Sequence, residues 1–315
     1  MRVATLLPSA TEIVCALGAR AELVGVSHEC DYPVGVEKLP VLTRTRRTLP
    51  RASGAIDAAV RDILRDALTV YEVDTAALRE AAPELIVTQD LCEVCAVSID
   101  DVRTALRELA RADVELLSLS PLRLADVWGD ILRVARALGR EEQGRSLVQS
   151  LEARIEAIRA RAATLDTRPR VLTIEWLDPV MIGGTWMPEL VELAGGEALV
   201  TRPGDHAPTL DLEQLAALDP EIVLIKPCGF SLERTSSELE LLRTQLPWSS
   251  WSAARAGRVF VADGNAFFNR PGPRLVESLE ITAACVHPLE FAALARKHAR
   301  NVRRVGTDLV LAPAF

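Results

Sequence analysis

The sequence predicts an α/β fold of two β/α lobes joined by one long helix, and three observations carry that prediction. Short apolar runs, such as residues 3–7, 23–26, 84–88 and 171–175, alternate with amphipathic stretches, the pattern of β/α layering. Mid-chain, Leu147, Leu151, Ile155 and Ile158 recur at spacings of three and four. They predict a single helix over 141–163, ~35 Å long at 1.5 Å per residue, with polar residues on its other faces. The second half also echoes the first. Thr11-Glu12-Ile13-Val14 up to Leu17-Gly18 resembles Pro188-Glu189-Leu190-Val191 up to Ala194-Gly195. Pro83-Glu84-Leu85-Ile86-Val87 resembles Pro220-Glu221-Ile222-Val223-Leu224.

In chain order, residues 3–7 suit a buried strand. Pro8-Ser9 turns the chain, and Ser9 or Thr11 offers a hydroxyl cap to the helix that follows. Glu12 falls in the first turn, where a carboxylate favours the helix dipole, and Gly18 stops the helix. Ile13, Val14 and Leu17 form its apolar face, with Cys15 among them. Residues 23–26 make a second strand, and 28–32 leave its carboxyl end as a polar loop. Ligands bind at that edge in open parallel sheets.

Residues 44–68 are basic, then helical, with Ser53 as cap and Ile56, Val60, Ile63 and Leu64 as the apolar face. Arg44, Arg46, Arg47 and Arg51 read as a solvated loop or as an anion site, since guanidinium forks match phosphate and carboxylate. Asp74 caps a short helix that Pro83 ends. The strand 84–88 delivers Gln89, Asp90 and Cys92-Glu93-Val94-Cys95 at its carboxyl end. Asp100 caps a helix to 109, 114–119 is a strand and 124–138 a helix. Residues 168–174 open the second lobe, 258–262 is the last clear strand, and a helix covers 273–284.

The 315 residues suffice for two domains of about 150 each. A net charge of −8 argues against nucleic acid or anionic membrane as partners. Six cysteines, Cys15, Cys30, Cys92, Cys95, Cys228 and Cys285, are too few and scattered for a disulfide scaffold. No apolar run approaches the ~20 residues of a membrane helix, so no membrane insertion is expected. Met1-Arg2 passes directly into the first strand without a secretory signal. The expected location is cytoplasmic, or extracytoplasmic if a leader has been trimmed. There is no Gly-x-Ser-x-Gly elbow, His-Glu-x-x-His or Walker loop, and Gly183-Gly184 and Gly195-Gly196 make no dinucleotide fingerprint. No enzyme and no required cofactor are expected.

The opening Leu-Leu-Pro-Ser-Ala-Thr-Glu, with Val-Gly-Val-Ser-x-x-x-Asp-Tyr-Pro, resembles the cobalamin-binding class of periplasmic substrate-binding proteins. These belong to the helical-backbone binding proteins of ATP-driven (ABC) importers, which also take up iron chelates and haem. The Pro-Glu-Leu-Ile-Val segment, the Glu-Leu-Ala-Gly-Gly-Glu segment and Asn269-Arg270-Pro271-Gly272-Pro273-Arg274 agree with it. The resemblance implies two Rossmann-like lobes, 1–140 and 166–315, a spanning helix at 141–165, and a corrinoid ligand held between the lobes. The missing signal peptide, the insertion at 44–68 and the Cys-x-x-Cys depart from the exported proteins and look like a cytoplasmic branch.

Trp176 and Trp186 are expected at the cleft edge of the second lobe, since indole faces suit a flat, partly apolar corrin, or else in packing between lobe and linker. Phe267, Phe268 and Arg270, after the last strand, are similar candidates. In the first lobe His28, Asp31, Tyr32 and Gln89 lie at strand ends, and an imidazole can ligate cobalt or accept hydrogen bonds from corrin amides. Cys92 and Cys95 supply two of the four ligands zinc usually takes; Cys30, Cys228 or His28 could complete a set, or the pair is small residues packing beneath the cleft. The resemblance also implies a transporter permease as partner. In the exported relatives each lobe docks through a surface glutamate seven residues ahead of the Pro-acidic-apolar strand. Glu213 holds that place before Pro220, but Ala76 holds it before Pro83. Asp74, two residues away, points ~200° around a helix from it. Productive docking on a cobalamin importer is therefore not expected.

Overall fold

The computed structural model describes residues 1–46, 48–65, 70–89, 98–109, 113–248, 250–306 and 309–315. The chain divides into two compact units. The first comprises 1–51, 55–121 and 125–150; the second comprises 52–54, 122–124 and 151–315.

The first unit runs β1 (Val3–Thr5), α1 (Pro8–Ala16), β2 (Leu23–Val26), β3 (Thr43–Thr45), α2 (Ser53–Arg65), β4 (Tyr71–Val73), α3 (Thr75–Ala81), β5 (Leu85–Gln89), α4 (Ile99–Glu108), β6 (Glu115–Leu119) and α5 (Leu124–Ala137). Among the described residues its main sheet has four parallel strands in the order β2-β1-β5-β6. Every residue of β1 and β5 is buried, which is why these strands read as continuous rather than alternating apolar runs.

Three local readings need correction. Helix α1 starts at Pro8, with Leu7 as N-cap and no side-chain cap; Ser9 and Thr11 lie inside it and Glu12 beyond the first turn. Proline, lacking an N–H and preset in φ, begins the helix earlier than the hydroxyl pattern suggested. Thr11 Oγ1 instead bonds Thr5 Oγ1 (2.6 Å) and Cys30 Sγ (3.0 Å). The cap of α4 is Ser98, which accepts the Asp101 N–H at 3.1 Å, not Asp100. Arg44 and Thr45, read as part of a basic loop, belong to β3, which pairs antiparallel with β4. Across that ladder Arg44 meets Glu72 at 2.6 Å, and Arg46, just past β3, meets Glu72 and, on α4, Asp101, each at 3.0 Å. Arg44 and Arg46 are thus committed to carboxylates of their own unit; Arg47 lies outside the described residues. As the sequence indicates, Asp74 caps α3 by accepting the Ala77 N–H at 2.9 Å.

Helix α6 (Glu141–Ala162) is a single helix of 22 residues, ~33 Å long. Its residues 141–150 count with the first unit and the remainder with the second. Val148, Leu151, Ile158 and Ala162 are its buried stripe.

The second unit continues with β7 (Arg170–Leu177), β8 (Val180–Ile182), α7 (Met187–Leu193), β9 (Glu197–Ala198), α8 (Leu212–Ala216), β10 (Ile222–Ile225), α9 (Leu232–Ser237), α10 (Leu239–Gln245), α11 (Ser252–Arg255), β11 (Val259–Ala262), α12 (Leu275–Val286), α13 (Ala292–His298), β12 (Val302–Val305) and β13 (Leu311–Pro313). Strands β9, β7, β10 and β11 are parallel; β8 flanks β7 antiparallel, and β12 and β13 extend the other side antiparallel. The last two were missed because Val302-Arg303-Arg304-Val305 carries two arginines in a four-residue strand.

The echo between the halves is structural. The first helix after the opening strand of the first unit, α1, and the first helix after the opening strand pair of the second, α7, end in the same cap. Gly18 and Gly195 sit at φ +76° and +84°. After α1 the Gly18 and Ala19 N–H groups bond Cys15 O and Val14 O; after α7 the Gly195 and Gly196 groups bond Glu192 O and Val191 O. Among the described residues no helix is long and apolar enough to cross a membrane.

Candidate functional site

The carboxyl ends of the parallel strands carry the chemistry of each unit, and the two ends are built differently. In the first unit β2 runs out into Ser27, His28 and Glu29. Thr43, at the start of β3 and buried, donates its hydroxyl to Ser27 Oγ at 3.1 Å. Thr43 Oγ1 accepts the backbone N–H of His28 at 3.1 Å and lies 2.7 Å from His28 Nδ1. The imidazole packs against the Tyr71 ring at 5.0 Å, and its Nε2 lies 3.3 Å from Glu29 Oε1 without hydrogen-bonding geometry. Asp31 is exposed and Tyr32 is 43 % exposed, on the loop that leaves this edge. Gln89 is the last residue of β5 and is buried.

In the second unit the corresponding edge is a buried charge network. Lys226, directly after β10, is 0 % exposed. Its Nζ donates to Glu175 Oε2 at 2.9 Å and to Asn269 Oδ1 at 3.2 Å. Glu175 Oε2 also accepts the Gly184 N–H at 3.3 Å, and Asn269 Nδ2 donates to the carbonyls of Lys226 and Gly264. A buried ammonium needs this pairing, because an unpaired one costs several kcal/mol. Beside it Asp263 accepts the N–H groups of Asn265 and Ala266; burial raises its pKa, and those two bonds oppose the rise. Arg270 is buried and donates to Asn265 Oδ1 at 3.0 Å.

Trp176 lies inside β7 rather than after it. It is half-buried, gives its indole N–H to Asp178 O at 3.0 Å, and meets Phe230 edge-on at 5.3 Å. The Arg234 guanidinium sits 3.7 Å over the Phe230 ring. Phe267 is half-buried between His298, at 6.2 Å, and Arg274, at 5.6 Å.

Trp186 and Phe268 correct the expectation of an exposed aromatic edge. They are 6 % and 1 % exposed, and Trp186 Nε1 donates to Phe268 O at 2.7 Å. Phe268 holds φ +70°, an outlier for a bulky residue, and its N–H is pinned to Ser278 Oγ at 2.9 Å. These two side chains build the interior, because a buried indole must spend its N–H on a protein acceptor.

Cys92 and Cys95 lie outside the described residues. Of their suggested partners, Cys30 is buried on Thr11, while Cys228 is half-buried in the loop after β10. Among the described residues no three of His, Cys, Asp and Glu gather to hold a metal. Glu213 is exposed at the second position of α8, and Ala76 is exposed at the second position of α3. Sequence reasoning missed Glu175, Lys226 and Thr43. Lys226 had a legible signal, a lysine ending the apolar run 222–225 where a core strand meets a strand-end loop.

The edge of the second unit offers half-buried aromatic surface, and that of the first offers hydroxyls and an imidazole. An uncharacterized ABC transporter substrate-binding lipoprotein, YvrC of Bacillus subtilis, is 22% identical over 296 residues, covering 92% of this chain and 81% of the relative. A vitamin B12-binding protein of Vibrio vulnificus is 21% identical over 301 residues, covering 94% and 92%. The crystal structure of a periplasmic heme binding protein from Pseudomonas aeruginosa superposes with a TM-score of 0.68 at 20% identity, covering 99% of this chain and 97% of that one. Residues 3–266 match the Periplasmic binding protein family, and the chain belongs to that family.

Proposed function

We propose that this protein is a substrate-binding protein of the ABC-importer type that holds cobalamin or a related corrinoid at its strand-end loops, without making or breaking a bond. The observation that carries the reading is Trp176. Its N–H is satisfied internally by Asp178 O and it remains half-exposed, so the indole offers carbon surface suited to a flat macrocycle. The vitamin B12-binding relative supports the same ligand. A second reading, haem or an iron chelate, is favoured by Tyr32, an exposed phenol on the loop that also bears His28, since ferric iron takes phenolate and imidazole donors.

Docking on a permease is proposed to be one-sided. Glu213 is exposed on α8, whereas of the acids before Ala76 Asp74 caps α3 and Glu72 is shared by Arg44 and Arg46.

The test is the absorption spectrum of the protein mixed with cyanocobalamin and desalted. Co-eluting corrin bands support the reading. Retention of haemin alone moves it to the second reading. A bound metal without any macrocycle replaces both with a metal site or an enzyme built on Cys92, Cys95 and His28.

A further inference from the structure

The loop that leaves β2 runs alongside α1. Cys30 Sγ lies 3.0 Å from Thr11 Oγ1. Further along the loop, Gly35 lies against the Arg20 guanidinium, where a Cβ would collide with Nη2. Cys15 falls between these two contacts, one turn past Thr11 on the same face of α1. It packs against the apolar cluster of Val26, Cys30 and Val36. Helical side chains lean toward the N-terminus, so Cys15 leans toward Thr11 and the sulfur that Thr11 holds. Both cysteines are thiols. Their burial differs: Cys15 is half-buried and Cys30 is 5 % exposed. The other two described cysteines, Cys228 and Cys285, belong to the second unit.

We infer that Cys15 and Cys30 are a redox pair whose disulfide fastens the loop after β2 to α1. The co-reactant is a small-molecule disulfide. Cys15, the more accessible thiol, attacks as thiolate, breaks the small disulfide's S–S bond and expels one thiolate. Cys30 then attacks Cys15 Sγ of the mixed disulfide as thiolate and expels the second. One protein S–S bond forms, and the two protons of Cys15 and Cys30 pass to the two released thiolates. The protein thiols lose two electrons and the small disulfide gains them. Burial pushes the Cys15 thiol up, the Arg20 guanidinium opposes the rise and the Glu12 carboxylate adds to it, so the first attack quickens in alkali. A cytosolic thiol pool keeps such a pair reduced, and an oxidising compartment closes it. Cys30 sits between His28 and Tyr32 on one loop, so the closed pair restrains the segment that bears them.

The test holds the reduced full chain with oxidised glutathione at about pH 8.5, where thiolate is available. Remaining thiols are alkylated and the protein is digested with trypsin. Cleavage after Arg2, Arg20 and Lys38 gives peptides 3–20 and 21–38, each with one cysteine. The expected product is these two peptides joined, at their summed mass less two hydrogens. Cys30→Ser should instead keep glutathione on Cys15. In the joined form the backbone amides of 28–32 should exchange with deuterium about tenfold more slowly than in the reduced form. Both peptides alkylated in a protein that keeps its fold, a glutathione adduct that persists on Cys15 of the parent, or Cys30 joined to a different peptide overturns the pairing. Joined peptides with unchanged exchange overturn the fastening of the loop. None of these results depends on which ligand the protein binds.

Discussion

The strand-end edge of the first unit is a chain of neutral hydroxyls and an imidazole on a half-exposed loop. That of the second is a fully buried ammonium held by Glu175 and Asn269. The contrast separates two roles. Neutral hydrogen bonds of ~1 kcal/mol leave an edge free to exchange partners with a ligand. A buried charge tolerates no loss of its partner, so the second edge acts as a fixed frame. It holds the Gly184 turn through Glu175 and the Gly264 turn through Asn269. Substitutions in the second edge should therefore read out in stability, and those in the first in the ligand.

The largest effect is expected from Trp186→Ala. Emptying a buried indole site should cost ~4 kcal/mol in urea unfolding. Near-native stability with lost corrinoid binding would instead move Trp186 to the ligand. Next, Glu175→Ala should cost ~3 kcal/mol by stranding Lys226, and the double variant Glu175→Leu with Lys226→Met should recover most of it. A single variant as stable as the parent breaks the contrast between the edges.

A buried charge cluster outside the edges sharpens it. Glu280 is buried and accepts hydrogen bonds from His298 (2.7 Å), Lys297 (2.6 Å) and Arg154 (2.7 Å). Burial alone would raise its pKa, but these donors outweigh it and lower the value from 4.5 to about 2. A depressed carboxylate pKa stabilises the fold above its unfolded value and loses that contribution as pH falls through the folded one. The contribution, ~3 kcal/mol, should thus be complete above pH 4.5 and gone near pH 2. Glu280→Gln should be less stable than the parent at neutral pH, with the gap closing in acid; a constant gap across that range contradicts the assignment. The smallest effect is that of Trp176→Ala. It should lower corrinoid affinity by ~1 kcal/mol, read by calorimetry, with little change in unfolding.

The layered α/β design, α6 and the paired helices ended by Gly18 and Gly195 were legible, because they depend on apolar periodicity and on glycine at positive φ. The site was legible only in part. His28 stands just past the end of β2 as its neighbours in sequence suggest, while Trp176 lies within β7. The roles of Trp186 and Phe268 depend on a hydrogen bond spanning 82 residues, which local pattern cannot reveal. The basic segment was ambiguous for a similar reason. Arg44 and Arg46 look like an anion site until β4 brings Glu72 opposite them. Ser9 looked like a cap because serine usually is one, but Pro8 already satisfies the start of α1.

The most direct measurement is calorimetric titration of the full chain with cyanocobalamin. One corrin per chain should bind, and Trp176→Ala should weaken it roughly fivefold, the equivalent of ~1 kcal/mol. Absence of binding by a folded protein would contradict corrinoid recognition, and an unchanged affinity in the variant would contradict the place of Trp176 in it.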